Sequence, residues 1–232
     1  MLWNDCPHTQ PLVADHPLQN ITDNWPDEPT LQFAGRQCRV LHRMDQGFTF
    51  PNGLANNGVI ISSPENIIHC FNAGHYAGGV CLVSSWGTMG RTMPLRRGPA
   101  IINRHLIAAV ESIKETSSAE DAWGILTGDV DDESLHWTDT MASKVLHFLC
   151  RAIFPADNDH PVPIDGAVIV NTVWPQWAAH AHLTIVQQRP LKWRSNRSWA
   201  AYNRYMTAIR HCAASLGWST IQFESTLFAL HR

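Results

Sequence analysis

At 232 residues the chain has room for one large domain with a small appendage, and a core of that size needs no covalent or metal staple. With 17 Lys and Arg against 20 Asp and Glu, the net charge of -3 excludes the strongly basic make-up of a non-specific nucleic-acid binder. Six cysteines stand singly, with no C-x-x-C pair, which argues against a zinc ribbon, a thioredoxin motif and an iron–sulfur site.

The first 35 residues carry Asp5, Asp15, Asp23, Asp27 and Glu28 but no Lys or Arg, and five prolines fall between Pro7 and Pro29. This reads as an acidic, non-helical arm at 1–35, followed by a helical domain at 36–232. Setting aside the arm's five acids leaves fifteen against seventeen bases, so the remainder is about +2, weakly compatible with nucleic acid. No charged leader precedes an apolar run, and no stretch approaches membrane-spanning length. A reduced, cytoplasmic protein without a membrane partner is expected.

Helical periodicity begins near Ser62, where Ser62 and Glu65 have capping-box spacing, Pro64 suits a first turn, and Ile67, Ile68 and Phe71 share a face. A second helix is expected near 99–115, with Ile102, Leu106, Ala109, Val110 and Ile113 as its apolar stripe. Shorter helices follow near 119–127 and 139–152. The longest, 197–216, has Trp199, Tyr202, Met206, Ile209, Ala213 and Leu216 at steps of three and four, with Gly217 at the C-cap position. A last helix at 220–230 carries Phe223, Leu227 and Leu230. The runs 58–61 and 79–84 read as short strands without a tight turn beside either. The fold class expected is all-α.

Fourteen of the bases are Arg; only Lys114, Lys144 and Lys192 are Lys, the residue type that can lose its proton and react. Lys114 sits between Glu111 and Glu115 and makes ordinary helix-face pairs. Lys144 is different. Thr138 or Asp139 can cap the helix that carries it, and Val145, Leu146, Phe148 and Leu149 follow. A polar loop then leads to Pro161 and Pro163, which hold the chain extended, and Asp165 stands at the N-cap of a helix beginning Gly166-Ala167-Val168. Lys144 and Asp165 are 21 positions apart.

This segment resembles the helix-hairpin-helix DNA glycosylase superfamily, most closely its 8-oxoguanine glycosylase branch. There a Lys near the start of the hairpin's second helix is followed about twenty residues later by a Pro-Val-Asp-like segment, matched here by Lys144-Val145 and Pro163-Ile164-Asp165. Ser85-Trp86-Gly87 and the closing run from Trp199 and Tyr202 to Leu227-Phe228 extend the likeness over roughly 60–230. The resemblance implies a helix-hairpin-helix glycosylase fold of the short, all-helical kind, acting as a monomer on double-stranded DNA that contains a modified base, without a cofactor. It departs from the family at the hairpin. That loop is ordinarily Gly-rich and meets a phosphate through its amides, often through a bound cation, whereas Leu135 to Ser143 holds no Gly. DNA contact is therefore expected from Arg91, Arg96 and Arg97, or from Arg189, Lys192, Arg194 and Arg197.

The chemistry needs both residues of the signature. Cutting an N-glycosidic bond builds positive charge on the sugar, so a nucleophile attacks C1′ while a carboxylate stabilises that charge. A free Lys, with a pKa near 10.4, is neutral in only roughly four molecules in ten thousand at pH 7. Apolar burial and the positive end of a helix disfavour the ammonium and free the amine. Lys144 is the expected nucleophile and Asp165 its helper; an amine nucleophile also forms a Schiff base with the opened sugar, the route to strand-nicking lyase activity. The target base must leave the stack, so a flat slot is needed, with Trp86, Phe148, Trp174 and Trp177 as candidates. Two substrates stay open, 8-oxoguanine and a bulkier modified base of the kind found in phage DNA, the latter making this a defence enzyme. Two readings from other classes also remain: a non-catalytic module for damaged or abasic DNA, and a helical protein unrelated to DNA, favoured if the 91–97 and 189–197 clusters face away from Lys144. For Lys144 taken alone, the plain alternative is a surface lysine on an amphipathic helix. His180 with His182, or His147 with Cys150, lack the second spaced pair that a metal site needs.

Overall fold

The computed structural model describes residues 36–87, 95, 97–128, 135, 137–157, 160–164 and 199–230. They are mostly helical, with one two-stranded antiparallel ribbon. The chain divides into two compact units, one of Phe33–Trp137 with Met141–Pro161, the other of Met1–Gln32, Thr138–Thr140 and Val162–Arg232. Among the described residues no helix is long and apolar enough to cross a membrane. The acidic arm at 1–35 lies outside the described residues.

In the larger unit, β1 (Arg36–Arg39) pairs with β2 (Val59–Ser62) in the register Arg36 to Ser62 and Cys38 to Ile60. Strand alternation buries Ile60 and Ser62 and turns Ile61 outward. The strand expected at 58–61 is thus present, and its partner lies across residues 40–58, which include the short helix α1 (Leu41–Met44). Because that connection is far longer than a hairpin turn, no two-residue turn signal marked the pairing.

Helix α2 (Pro64–Asn72) starts one residue later than its capping-box spacing suggests. Ser63 is the N-cap and accepts a hydrogen bond from the Asn66 amide, with Pro64 at the first helical position. Ser62 is instead buried and donates its hydroxyl to the Leu82 carbonyl at 2.5 Å. Ile67 and Phe71 point into the core, as the periodicity predicts.

The run 79–84 is not a strand. It belongs to α3 (Tyr76–Gly87), in which every residue from Ala77 to Ser85 is buried. A helix covered on all sides shows neither a period of two nor one of 3.6, so its apolar run mimics a buried strand. Covering it so closely needs small residues: a Cβ on Gly79 would overlap the Phe71 ring, and one on Gly78 the Thr49 carbonyl. Helix α3 packs on α2, on both strands and on α4 (Pro99–Thr116), which in turn packs on α5 (Glu120–Thr127). All five stripe residues of α4, from Ile102 to Ile113, are buried. Helix α6 (Asp139–Ile153) runs on through the unit from Met141.

In the other unit, α7 (Trp199–Ser215) and α8 (Thr220–Leu230) pack together. Tyr202, Tyr205, Met206, Ile209, Ala213 and Phe223 form its apolar interior. Gly217, at φ +69°, closes α7: its amide bonds to the Ala214 carbonyl and the Trp218 amide to that of Ala213. Ser219 and Gln222 then start α8 with a reciprocal capping box, Ser219 Oγ accepting from the Gln222 amide and Gln222 Oε1 from the Ser219 amide.

Candidate active site

Lys144 stands in the second turn of α6, and from Ala142 to Cys150 every residue of that helix is buried. Its own side chain is 6% exposed, which removes the reading of Lys144 as a surface lysine on an amphipathic face. Ala142, Val145, Leu146, Phe148 and Leu149, all fully buried, are its neighbours along the helix. A buried ammonium or amine needs hydrogen-bond partners. One is the carbonyl of Gly87, the last residue of α3, which accepts a long bond of 3.5 Å from Lys144 Nζ.

Trp86, next to that carbonyl, is half-buried. Its ring meets Phe148 edge-on, centroids 5.1 Å apart at 86°. Phe148 itself has no exposed surface, and it is also flanked by the His147 ring at 4.9 Å and by the Arg151 guanidinium at 6.0 Å. The end of α3 thus meets α6 twice, through the Gly87 carbonyl on the Lys144 amine and through the neighbouring Trp86 ring on Phe148. Phe148 does not offer a face to a ligand; it fixes Trp86, which does have exposed surface.

His147 follows Lys144 by one turn of α6 and is buried as well. Its Nδ1–H donates to the Pro161 carbonyl at 2.7 Å, which fastens α6 to the chain at Pro161. Burial holds the imidazole well below its ordinary range, at about 3, and outweighs the carbonyl bond that favours the charged form; Arg151 and His160 push it down further. His147 is therefore neutral, protonated on Nδ1. Pro161, Val162, Pro163 and Ile164 are all buried and belong to no helix or strand. Within the smaller unit the Tyr202 hydroxyl donates to the Val162 carbonyl at 2.6 Å.

Of the residues singled out from sequence, Lys144, Trp86 and Phe148 come together, and Arg97 is half-buried. Asp165, Trp174, Trp177, Arg91, Arg96, Arg189, Lys192, Arg194 and Arg197 lie outside the described residues. So does the helix expected from Gly166. Gly87 and His147 were missed as site residues. Gly87 lies 57 positions before Lys144, a distance over which local pattern says nothing. His147 did carry a signal, because a polar residue three after the lysine falls on a neighbouring part of the same helix surface.

No family model, no curated protein and no solved structure matches this chain.

Proposed function

We propose that this chain is a DNA glycosylase of the helix-hairpin-helix type, which flips a modified base out of double-stranded DNA and cuts its glycosidic bond with Lys144 as nucleophile and Asp165 as helper. The observation that carries the reading is the burial of Lys144 in an apolar helix, with its amine bonded to the carbonyl of Gly87, the residue after the half-buried Trp86. Structural lysines are seldom placed so, because an unsolvated ammonium is costly; reactive lysines are placed so for that same reason.

In this reading the Nζ lone pair forms a bond to C1′ as the glycosidic bond breaks. The bonding pair leaves with the base, which takes up a proton, and Nζ loses one. The Asp165 carboxylate offsets the positive charge developing on the sugar. Ring opening gives a Schiff base between Nζ and C1′, from which loss of the 3′ phosphate by β-elimination nicks the strand. Trp86 forms one wall of the slot for the extruded base, held at its angle by Phe148.

The experiment is reductive trapping. Borohydride added to enzyme and substrate DNA reduces the Schiff base to a stable covalent adduct, expected with the native protein and absent with Lys144→Gln. No adduct from the native protein on any substrate, or one that survives Lys144→Gln, rejects the role. A mass-spectrometric screen for free bases released from oxidised DNA and from phage-modified DNA distinguishes 8-oxoguanine from a bulkier substrate. Tight binding to abasic DNA with no base released from either pool favours the non-catalytic module instead.

A further inference from the structure

Gly87 ends α3 directly against the side chain of Lys144. A Cβ built on it would lie 2.9 Å from Lys144 Cδ, 3.0 Å from Nζ and 3.4 Å from Cε, its three nearest neighbours from elsewhere in the fold. The first of these distances is shorter than real Cβ contacts and the second is tighter than most, so a side chain here makes the lysine's end give way. The same residue's carbonyl accepts the amine's hydrogen bond. One glycine thus supplies both the space that the last three atoms of Lys144 occupy and an acceptor that holds the amine there.

A conformational requirement does not explain this glycine. Gly87 is helical and has no left-handed φ, whereas Gly47, Gly53, Gly58, Gly74 and Gly217 do. Alanine would be favoured over glycine in a helix by up to about 1 kcal/mol. What an alanine here would meet is the end of the lysine.

We infer that Gly87 is the positioning residue for the Lys144 amine: its missing side chain and its carbonyl together set where the nucleophile points. This rests on the reading of Lys144 as the nucleophile. The nearest atoms that Gly87→Ala meets are the far end of a flexible side chain, so the fold absorbs it by moving that end while the backbone stays as it is.

The test compares Gly87→Ala with the native protein and with Gly124→Ala, a helical glycine in α5 whose added Cβ meets nothing within 4 Å. In Gly87→Ala the single-turnover rate of adduct formation is expected to fall by about tenfold, less than the roughly hundredfold that a full 1 Å misplacement can cost, with the Kd for substrate DNA unchanged. Gly124→Ala traps at the native rate. A second readout needs no substrate. Reductive methylation followed lysine by lysine should find Lys144 slow in the native protein and faster in Gly87→Ala by about tenfold or more, in keeping with its exchange of burial for solvent. Native trapping together with unchanged trapping in Gly87→Ala overturns the inference and leaves the nucleophile intact. So does an unchanged methylation rate at Lys144, or a Gly87→Ala protein that fails to fold, which would make Gly87 a packing residue. If the native protein traps nothing while Lys144 methylation still accelerates in the variant, the glycosylase reading fails and the seat stands.

Discussion

Two helices of the larger unit, α4 and α6, each carry one lysine, and the two lysines could hardly be placed more differently. On α4 the buried residues recur at steps of three and four, and Lys114 lies on the opposite, exposed side near the helix C-terminus, with Glu111 and Glu115 for neighbours. There a cation favours the helix dipole and stays hydrated. On α6 nine consecutive residues from Ala142 to Cys150 are buried, Lys144 among them. Solvent can do nothing for this amine, so the protein must supply its partners. The contrast shows that residue type and helical context do not settle a lysine's chemistry; the number of sides on which its helix is covered does.

That comparison can be strained by mutation, and the largest effect is expected at Phe148. Truncation to Ala empties a fully buried ring site and should cost about 3–5 kcal/mol in urea-denaturation stability, more than half of what many domains possess. A loss under about 1 kcal/mol would mean that α6 is not core. It should also release Trp86, whose fluorescence ought to shift toward that of solvated indole.

A pH series tests the neighbouring imidazole. The folded pKa of His147, about 3, lies below the usual value near 6.5 expected when unfolded. Below pH 6.5 the unfolded chain binds a proton that the native state refuses until about pH 3. The stabilising contribution is therefore complete above 6.5 and declines as pH drops through that window, by about 1.4 kcal/mol per pH unit. His147→Gln should flatten this slope; an equal slope in the variant would assign the acid sensitivity to other groups.

Smaller again is the cap of α2, where Ser63→Ala should cost about 1 kcal/mol while Ser63→Asp should cost little. The smallest effect is expected at the exposed lysine. Lys114→Ala should change stability by no more than about 0.5 kcal/mol and leave any trapping reaction untouched. The thiols offer an independent check on burial: Cys70, Cys150 and Cys212 are each pushed up to about 12 by burial, so a disulfide reagent at pH 8 should reach them only on unfolding.

Much of the helical layout could be read from residue order. Helices α4, α5, α7 and α8 stand within one or two residues of where period and caps put them, and Gly217 closes α7 as its position suggests. These elements show one face to the core and one to water, so burial is written into their sequence with the period of the helix. Helix α3 failed that test because nothing about it alternates; Ala77 to Ser85 are all inside, and length alone distinguishes such a helix from a strand. The partner of β2 was invisible for another reason, since β1 joins it across residues 40–58 and pairing at that distance leaves no local trace.

The site divides along the same line. Lys144 was legible because lysine is scarce here and because its spacing to the Pro163-Ile164-Asp165 segment is particular. Trp86 was legible only as an aromatic near a resembling motif, and its contact with Phe148 came from folding. Composition and periodicity by themselves determined that the described residues are largely helical, that the cysteines stand singly along the chain, and that one lysine merits attention. Tertiary structure alone decided that this lysine is buried, that Gly87 makes the space for it, and that His147 fastens its helix to the chain at Pro161. The physical reason is range: periodicity and capping act within a turn or two of chain, whereas burial and hydrogen-bond partners are set by atoms brought together from dozens of residues away.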